Sequence, residues 1–469
     1  MVFSSLNFIF VFLPIVLAVY YIVPQKWKNL CLLLASLFFY GWGEPVYILL
    51  LLASIVANYF IGLAVQRQRE KTDAKHPKIW LLAGILVNLL MLLFFKYYDL
   101  FARTLAMIPA LHAIKPLELA LPLGISFYTF RGMSYQIDIY RGDCDAEKSF
   151  IGYSTYAALF PHLTAGPIIR YRDVAGQISC RPKNAGQFAD GVRRFAIGLA
   201  KKVLIANNLS SLWDTYSTMA ASELSTAGAW IGICAFSLEI YFDFSGYSDM
   251  AIGIAKMFGF DFKENFDHPY VSRSVTEFWR RWHISLGSWF RDYVYIPLGG
   301  NRKGKARQLL NITIVWALTG FWHGASWNFM LWGLYYAVFL IIEKLWLLKR
   351  LDKAPRFISH FYAVVVAFAG WVLFELTDLT ACGNYYKTMF GFGSGGAWQT
   401  ADGFYLKTFA LVFLIAALSC SSLFSNLFHK LPKKAQSVLS PVLIVLSLVL
   451  CTGYLVDATY NPFIYFRRF

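Results

Sequence analysis

The chain has 469 residues, of which 58% are hydrophobic and only 15% charged, with a mean hydropathy of +0.50. Soluble domains carry about a quarter charged residues, so a soluble globular class is excluded, and the expected class is an all-α polytopic membrane protein. The formal charge of +16, from 43 basic and 27 acidic residues, would suggest nucleic acid in a soluble protein. In a membrane protein it is assigned to cytoplasm-facing loops, anionic membrane lipid and an anionic substrate, and no nucleic-acid partner is expected.

In chain order, hydropathy predicts helices near 6–23, 29–41, 45–65, 79–96, 118–137, 150–168, 188–209, 228–258, 308–321, 326–348, 358–377, 404–428 and 437–455. Several are shorter than the ~20 residues a crossing needs. The expectation is therefore roughly eleven spans, with the rest re-entrant or interfacial, in one integral-membrane domain over 1–469 with its catalytic region at about 118–350. The first segment, Leu6 to Val23, lacks a basic leader and a small-residue cleavage site, and is expected to be a retained transmembrane helix. The broken stretch 259–327 reads as backbone that leaves helical geometry where protein buries it. No internal repeat or low-complexity tract is seen.

Basic loops set the expected orientation. Residues 66–78 hold Arg67, Arg69, Lys71, Lys75 and Lys78; 299–307 hold Arg302, Lys303, Lys305 and Arg307; 349–356 hold Lys349, Arg350, Lys353 and Arg356; 429–434 hold Lys430, Lys433 and Lys434. These are expected in the cytoplasm, which puts the N-terminus outside, in a bacterial inner membrane. The Gly-rich, charge-poor stretch 378–403 is expected as an external loop. Seven cysteines are scattered without a C-x-x-C pair, Cys31, Cys234, Cys420 and Cys451 among them in apolar segments, so neither a disulfide framework nor a metal site is expected.

Two histidines carry the chemistry. His283 lies in Phe278-Trp279-Arg280-Arg281-Trp282-His283-Ile284-Ser285-Leu286, and His323 in Thr319-Gly320-Phe321-Trp322-His323-Gly324-Ala325-Ser326-Trp327. A titratable ring at bilayer depth is costly and marks a functional site by default, and histidine is the side chain that exchanges a proton near neutrality. If 276–290 is one helix, Trp279 and Gly287 share the face of His283. Arg280 and Arg281 offer planar forks for phosphate or carboxylate, so a basic mouth leads to an aromatic passage lined by Trp279, Trp282, Trp322, Ser326 and Trp327. A neutral imidazole at His323 would take the proton of a hydroxyl attacking a thioester. His283 would orient that hydroxyl or hydrogen-bond the developing oxyanion. The competing readings are a structural interhelical histidine and a haem ligand pair.

The acids Glu239, Asp243 and Asp249 lie in an apolar segment and read as fold-locking partners, with Arg280 or Arg281 as candidates for the other half of the pair. His162, at the kinked end Pro161–Pro167, reads as a satisfied structural histidine. His76, His112, His360 and His429 carry no signal. No Walker loop, dinucleotide-binding glycine pattern, H-E-x-x-H or G-x-S-x-G is present, which excludes an energised pump and a soluble-type hydrolase.

At these residues the chain resembles the membrane-bound O-acyltransferase (MBOAT) superfamily, and within it the bacterial alginate O-acetyltransferase membrane-subunit type. The carriers are Met1-Val2-Phe3-Ser4-Ser5 with Phe12-Leu13-Pro14-Ile15, Leu121–Phe130, Ala165-Gly166-Pro167, Tyr241–Ala251, Glu277–His283, Leu298–Gly304, Trp322-His323-Gly324 and the closing Asn461-Pro462-Phe463-Ile464-Tyr465-Phe466. The resemblance implies a ring of tilted helices around a central funnel and tunnel, with His323 at the family's catalytic position and His283 at its second position. It implies that an acetyl group from cytoplasmic acetyl-CoA, a donor substrate rather than a cofactor, passes through the membrane. An extracytoplasmic partner acyltransferase would then modify an exopolysaccharide; apart from the resemblance, the charge-poor stretch 378–403 is expected to offer it a docking place. A related branch moves D-alanine from a carrier protein to teichoic acid, and a polysaccharide transporter or channel is the alternative outside the family. The chain ends soon after Leu455, so the longer C-terminal extension of some relatives is not expected.

Overall fold

A computed structural model of the chain describes residues 1–71, 77–181, 184–457 and Phe463. Lys75 and His76, and the closing motif at 461–466 except Phe463, lie outside the described residues. Every regular element among the described residues is helical. Seven helices there are long and apolar enough to cross a bilayer: Ile48–Glu70, Pro77–Leu105, Thr226–Met257, Trp327–Leu351, Arg356–Glu375, Thr400–Ser419 and Lys433–Asp457. That is fewer than the roughly eleven spans expected, and the other helices are shorter. Lys28–Gly43 has 16 residues and Ile125–Arg141 has 17, which at ~1.5 Å per residue fall short of a ~30 Å hydrocarbon core.

The chain forms two compact units. The first comprises Met1–Phe195 with Tyr247–Glu264. At its centre is Ile125–Arg141, buried along almost its whole length although it carries Ser126, Thr129, Arg131, Ser134, Gln136 and Asp138. Its neighbours Ile48–Glu70 and Pro77–Leu92 supply partners. Gln136 Nε2 donates to Asn58 Oδ1 at 2.6 Å, and Asn88 Nδ2 donates to the same oxygen at 2.8 Å. Amides buried between helices hold them together because each would otherwise be left unpaired in an apolar medium. Arg131, 1% exposed, donates to the carbonyls of His162 at 2.6 Å and Ala157 at 3.1 Å. His162 Nε2 lies 2.9 Å from the Tyr156 carbonyl, which fits the structural reading of this histidine. The helix expected at 118–137 starts only at Ile125, and the one expected at 150–168 breaks at Leu159, just ahead of Pro161.

The second unit comprises Ala196–Gly246 with Asn265–Ile464. Its organising element is an antiparallel hairpin, Lys305–His323 followed by Trp327–Leu351, turned by Gly324, Ala325 and Ser326. The two helices touch backbone to backbone at Gly320 and Gly333. A Cβ on Gly320 would collide with the Phe329 carbonyl, and one on Gly333 with the Trp316 carbonyl. Small residues at such a crossing let van der Waals packing do in the membrane what hydrophobic burial does in water. Arg356–Glu375 packs beside the hairpin.

The expected external loop 378–403 is partly helical. Asp378 caps Leu379–Met389 by accepting from the Thr380 N–H at 2.8 Å, and Tyr385 and Met389 bury one face of it. Its far end is tied down by Asp402, which accepts from Ser225 Oγ at 2.6 Å, Tyr216 OH at 3.1 Å and the Gln399 N–H at 2.8 Å. The helix expected over 404–428 is interrupted after Ser419, where Ser421 Oγ turns back onto the Leu418 carbonyl.

The acids of the Tyr241–Asp249 segment are paired, but not with Arg280 or Arg281. Asp243 meets Lys202 at 2.6 Å, both almost fully buried, and Asp249 meets Arg194 at 2.7 Å. Glu239 is buried. Arg281 instead pairs with Asp267 at 2.9 Å and with Glu277 at 3.0 Å. Glu277 and Asp267 take its guanidinium, because one lies a helical turn away and the other sits at the backbone corner described below.

Gly320→Ala and Gly333→Ala should each lower the thermal unfolding midpoint of the purified protein in detergent, by the equivalent of about 1–3 kcal/mol, since both helices must separate to admit a methyl group. Gly383→Ala, at a helical position where a Cβ meets nothing within 4 Å, should leave it unchanged or slightly raised.

Candidate active site

The stretch 265–304 is broken, and the break positions His283. Ser274 opens the helix Val275–Arg281, its Oγ accepting from the Glu277 N–H at 3.0 Å. Glu343, buried on the return helix of the hairpin, accepts from the N–H groups of Val275 at 2.7 Å and Thr276 at 2.9 Å and from Thr276 Oγ at 2.6 Å. A carboxylate against a helix N-terminus satisfies donors that have no partner within the helix and meets the positive end of its dipole.

The helix does not run on through 290 as periodicity suggests. It ends at Trp282, His283 adopts φ 45° and ψ 54°, and a new helix runs Ile284–Phe290. A left-handed backbone at a residue with a Cβ is held only where its surroundings fix it. Here Asn265 does so. Its carbonyl accepts from the Ile284 N–H at 2.9 Å, and its Oδ1 accepts from the Ser285 N–H at 3.2 Å and from Ser285 Oγ at 2.8 Å. The corner separates Trp279 from the face of His283, and a Cβ on Gly287 would lie 3.8 Å from the Trp279 carbonyl.

The imidazole of His283, 3% exposed, is held edge-to-face by Phe244, with ring centroids 4.8 Å apart, and approaches Trp322 at 6.1 Å. Burial pushes its pKa down to about 3, so the ring is neutral at physiological pH. Its Nδ1 lies 3.2 Å from Asn265 Oδ1. Nε2 is buried and has no hydrogen-bond partner among the described residues.

His323 ends the first helix of the hairpin. Its ring, 8% exposed, packs on Trp322 at 5.0 Å, on Trp332 at 5.0 Å and on Phe374 at 5.3 Å. The indole of Trp322 therefore lies against both imidazoles. The pairing follows from the chain path: Ile284–Phe290 and the turn to Tyr295 lead away from His283, and Lys305–His323 returns. The turn is anchored by Asn311 Nδ2 donating to the Gly300 carbonyl at 3.0 Å and by Arg307 Nε donating to the Leu298 carbonyl at 3.1 Å.

The expected lining residues divide. Trp322 lies against both imidazoles. Trp279 packs on Trp316 at 4.8 Å, Trp332 at 5.5 Å and Tyr336 at 4.7 Å, and Trp282 on Trp371 at 4.8 Å, so both belong to the aromatic wall that continues to His323. Ser326 is half-buried at the hairpin turn. Arg280 is exposed, Trp327 is 53% exposed, and the Arg281 guanidinium is engaged in its two ion pairs.

Sequence reasoning missed Asn265, Glu343, Trp332, Phe374 and Phe244. Ser285, two residues past His283, was the available signal for a polar neighbour. Asn265 carried none, because nothing in Glu264-Asn265-Phe266 marks an amide that will bond across a corner 20 residues on.

The family model for membrane-bound O-acyltransferases matches residues 145–382. The chain is 42% identical over 408 residues to a probable alginate O-acetylase of Azotobacter vinelandii, covering 86% of this chain and 80% of that one. It is 38% identical to a probable alginate O-acetylase of Pseudomonas putida, with 100% of both chains covered. It is 34% identical to a peptidoglycan O-acetyltransferase of Helicobacter pylori, covering 83% of this chain and 80% of that one.

Glu343→Ala should release the helix that carries Trp279, Trp282 and the His283 corner. The expected loss is about 2–3 kcal/mol, the scale of hydrogen bonds to a buried charged group, read as a lower unfolding midpoint together with a red shift of tryptophan fluorescence. Glu343→Gln, which keeps one acceptor oxygen, should lose less.

Proposed function

The chain belongs to the membrane-bound O-acyltransferase family, and from that premise we propose that it takes an acetyl group from cytoplasmic acetyl-CoA and passes it across the membrane for O-acetylation of an extracytoplasmic polysaccharide. The observation that carries the reading is the placement of His283 and His323, from distant stretches of sequence, against one indole inside an aromatic wall. The named activities of the similar proteins, O-acetylation of alginate and of peptidoglycan, support an acetyl group as cargo and a glycan hydroxyl as its destination.

In the proposed chemistry a hydroxyl oxygen attacks the thioester carbonyl carbon, and its proton passes to an imidazole nitrogen. The carbon–sulfur bond then breaks, and the thiolate leaves with that proton, so both rings end neutral. The aromatic wall keeps water, a competing nucleophile, away from the thioester. The resemblance assigns the proton to His323 and gives His283 the acceptor or the oxyanion. Acetyl-CoA is the donor substrate and no cofactor is called for. The hydroxyl belongs to the polymer or to an extracytoplasmic partner acyltransferase that relays the group. We place the chain in the bacterial inner membrane with its N-terminus outside and the basic stretches in the cytoplasm.

The test follows label from acetyl-CoA into exported polysaccharide in cells carrying the wild type, His323→Ala or His283→Ala. Either variant should lose at least about a hundredfold, the scale of general-base catalysis, while accumulating in the membrane with an unchanged elution profile. Undiminished labelling in His323→Ala would overturn the reading.

A further inference from the structure

The hydrogen bonds around Asn265 decide which nitrogen of His283 carries the proton. Its Oδ1 accepts from the backbone N–H of Ser285 at 3.2 Å. A backbone N–H only donates, so the side-chain atom facing it is the amide oxygen and not the nitrogen. The same oxygen lies 3.2 Å from His283 Nδ1. An amide oxygen only accepts, so Nδ1 of the neutral ring is the N–H and Nε2 holds the lone pair. That lone pair is buried and has no partner among the described residues. A buried acceptor left unmatched is costly, and here the left-handed corner presents it.

We propose that Asn265 is a positioning residue that fixes His283 as its Nδ1–H tautomer, so that Nε2 accepts the hydrogen bond of the attacking hydroxyl. This rests on the acyl-transfer reading above but moves one role within it: the proton that the resemblance gives to His323 goes to His283 Nε2. A neutral ring with its lone pair forward cannot donate to an oxyanion, so His283 faces the hydroxyl and His323 is left to face the thioester. The O–H bond breaks as the oxygen–carbon bond forms, the proton resides on Nε2, and the departing sulfur removes it as the carbon–sulfur bond breaks. Ser285, whose Oγ lies 2.8 Å from Asn265 Oδ1 and 3.4 Å from His283 Nδ1, supports the amide without replacing it.

The groups facing the ring are Phe244, Trp322, Asn265 and Ser285. Among charged residues of the same stretch, Asp267 and Glu277 are paired with Arg281, and Asp243 beside Phe244 is paired with Lys202. The other titratable ring close by is His323, across Trp322. A charge introduced at position 265, whose Oδ1 lies 3.2 Å from Nδ1, therefore acts directly on it.

The experiment has two readouts on full-length protein in nanodiscs. The first is nitrogen NMR of labelled histidine, with His283 assigned by its loss in His283→Gln. Wild type should show a protonated Nδ1 and a bare Nε2 at neutral pH; a protonated Nε2 overturns the proposal without touching the acyl-transfer reading. The second is the rate of label transfer from acetyl-CoA to alginate oligosaccharide against pH. Asn265→Ala should lose the tautomer preference and at least about tenfold in kcat, the scale on which partners that orient a histidine act, with KM for acetyl-CoA unchanged. Asn265→Asp, nearly the same shape, should keep fold and tautomer but stabilise the imidazolium, so activity falls off on the acid side at a higher pH than in wild type. An unmoved acid limb in Asn265→Asp and an unchanged kcat in Asn265→Ala would overturn the proposal. Undiminished transfer by His283→Gln would instead remove His283 from the reaction, whatever its tautomer.

Discussion

Removed from water, a buried polar group is costly unless it finds a partner within the chain, and that constraint shapes much of this fold. It explains why a helix as polar as Ile125–Arg141 can be buried: Gln136, Asn58 and Asn88 close on one another, and Arg131 donates to two carbonyls freed at the break near Leu159. It also explains the pairing of Asp243 with Lys202. Replacing such a pair with apolar residues is often harmless, while removing one member leaves a buried charge and costs about 3–5 kcal/mol. The pairs therefore specify which helices meet more than they stabilise the meeting. Against this background His283 Nε2 is informative. In the proposed reading, a substrate supplies the partner that Nε2 lacks among the described residues.

Two local devices deliver the imidazoles. One is the backbone crossing at Gly320 and Gly333, which sets the hairpin tight enough for the His323 ring to reach Trp332 on the return helix. The other is the Asn265 clamp, which turns the chain at a residue that would otherwise sit mid-helix. Each depends on atoms far away in sequence, and each places a ring within a wall of Trp, Tyr and Phe side chains. Aromatic rings suit this role because a few of them cover a large area with little rotamer freedom.

That dependence on distant atoms separates what could be read in the sequence from what could not. Long apolar runs announce themselves, and 45–65, 228–258 and 358–377 reappear as Ile48–Glu70, Thr226–Met257 and Arg356–Glu375. The two histidines and Trp322 were legible as candidates because polar rings in apolar surroundings are rare. The helix over 276–290 was misjudged since no Gly or Pro precedes position 287; the break is imposed from Asn265 and Ser285, outside any window a periodicity can sense. Asp243 and Asp249 were rightly seen as partners for cations, but Lys202 and Arg194 come from another helix, and only the packing identifies them.

The hairpin also bears on how far the acyl group travels in the proposed orientation. Lys305–His323 has 19 residues, about 28 Å at 1.5 Å per residue, which approaches the thickness of a hydrocarbon core. Its basic end carries Arg302, Lys303, Lys305 and Arg307, and the return helix ends among Lys349, Arg350 and Lys353. Arg356–Glu375 also starts at a basic residue and brings Phe374, near its far end, to the His323 ring. Three helices thus put their cations at one level and His323 at the other. With the cations in the cytoplasm, an extracytoplasmic hydroxyl has a short approach to the imidazoles and the thioester a long one. The enzyme then needs a passage for the donor far more than for the acceptor, and the aromatic wall running from Trp279 through Trp332 to His323 lies along that longer side.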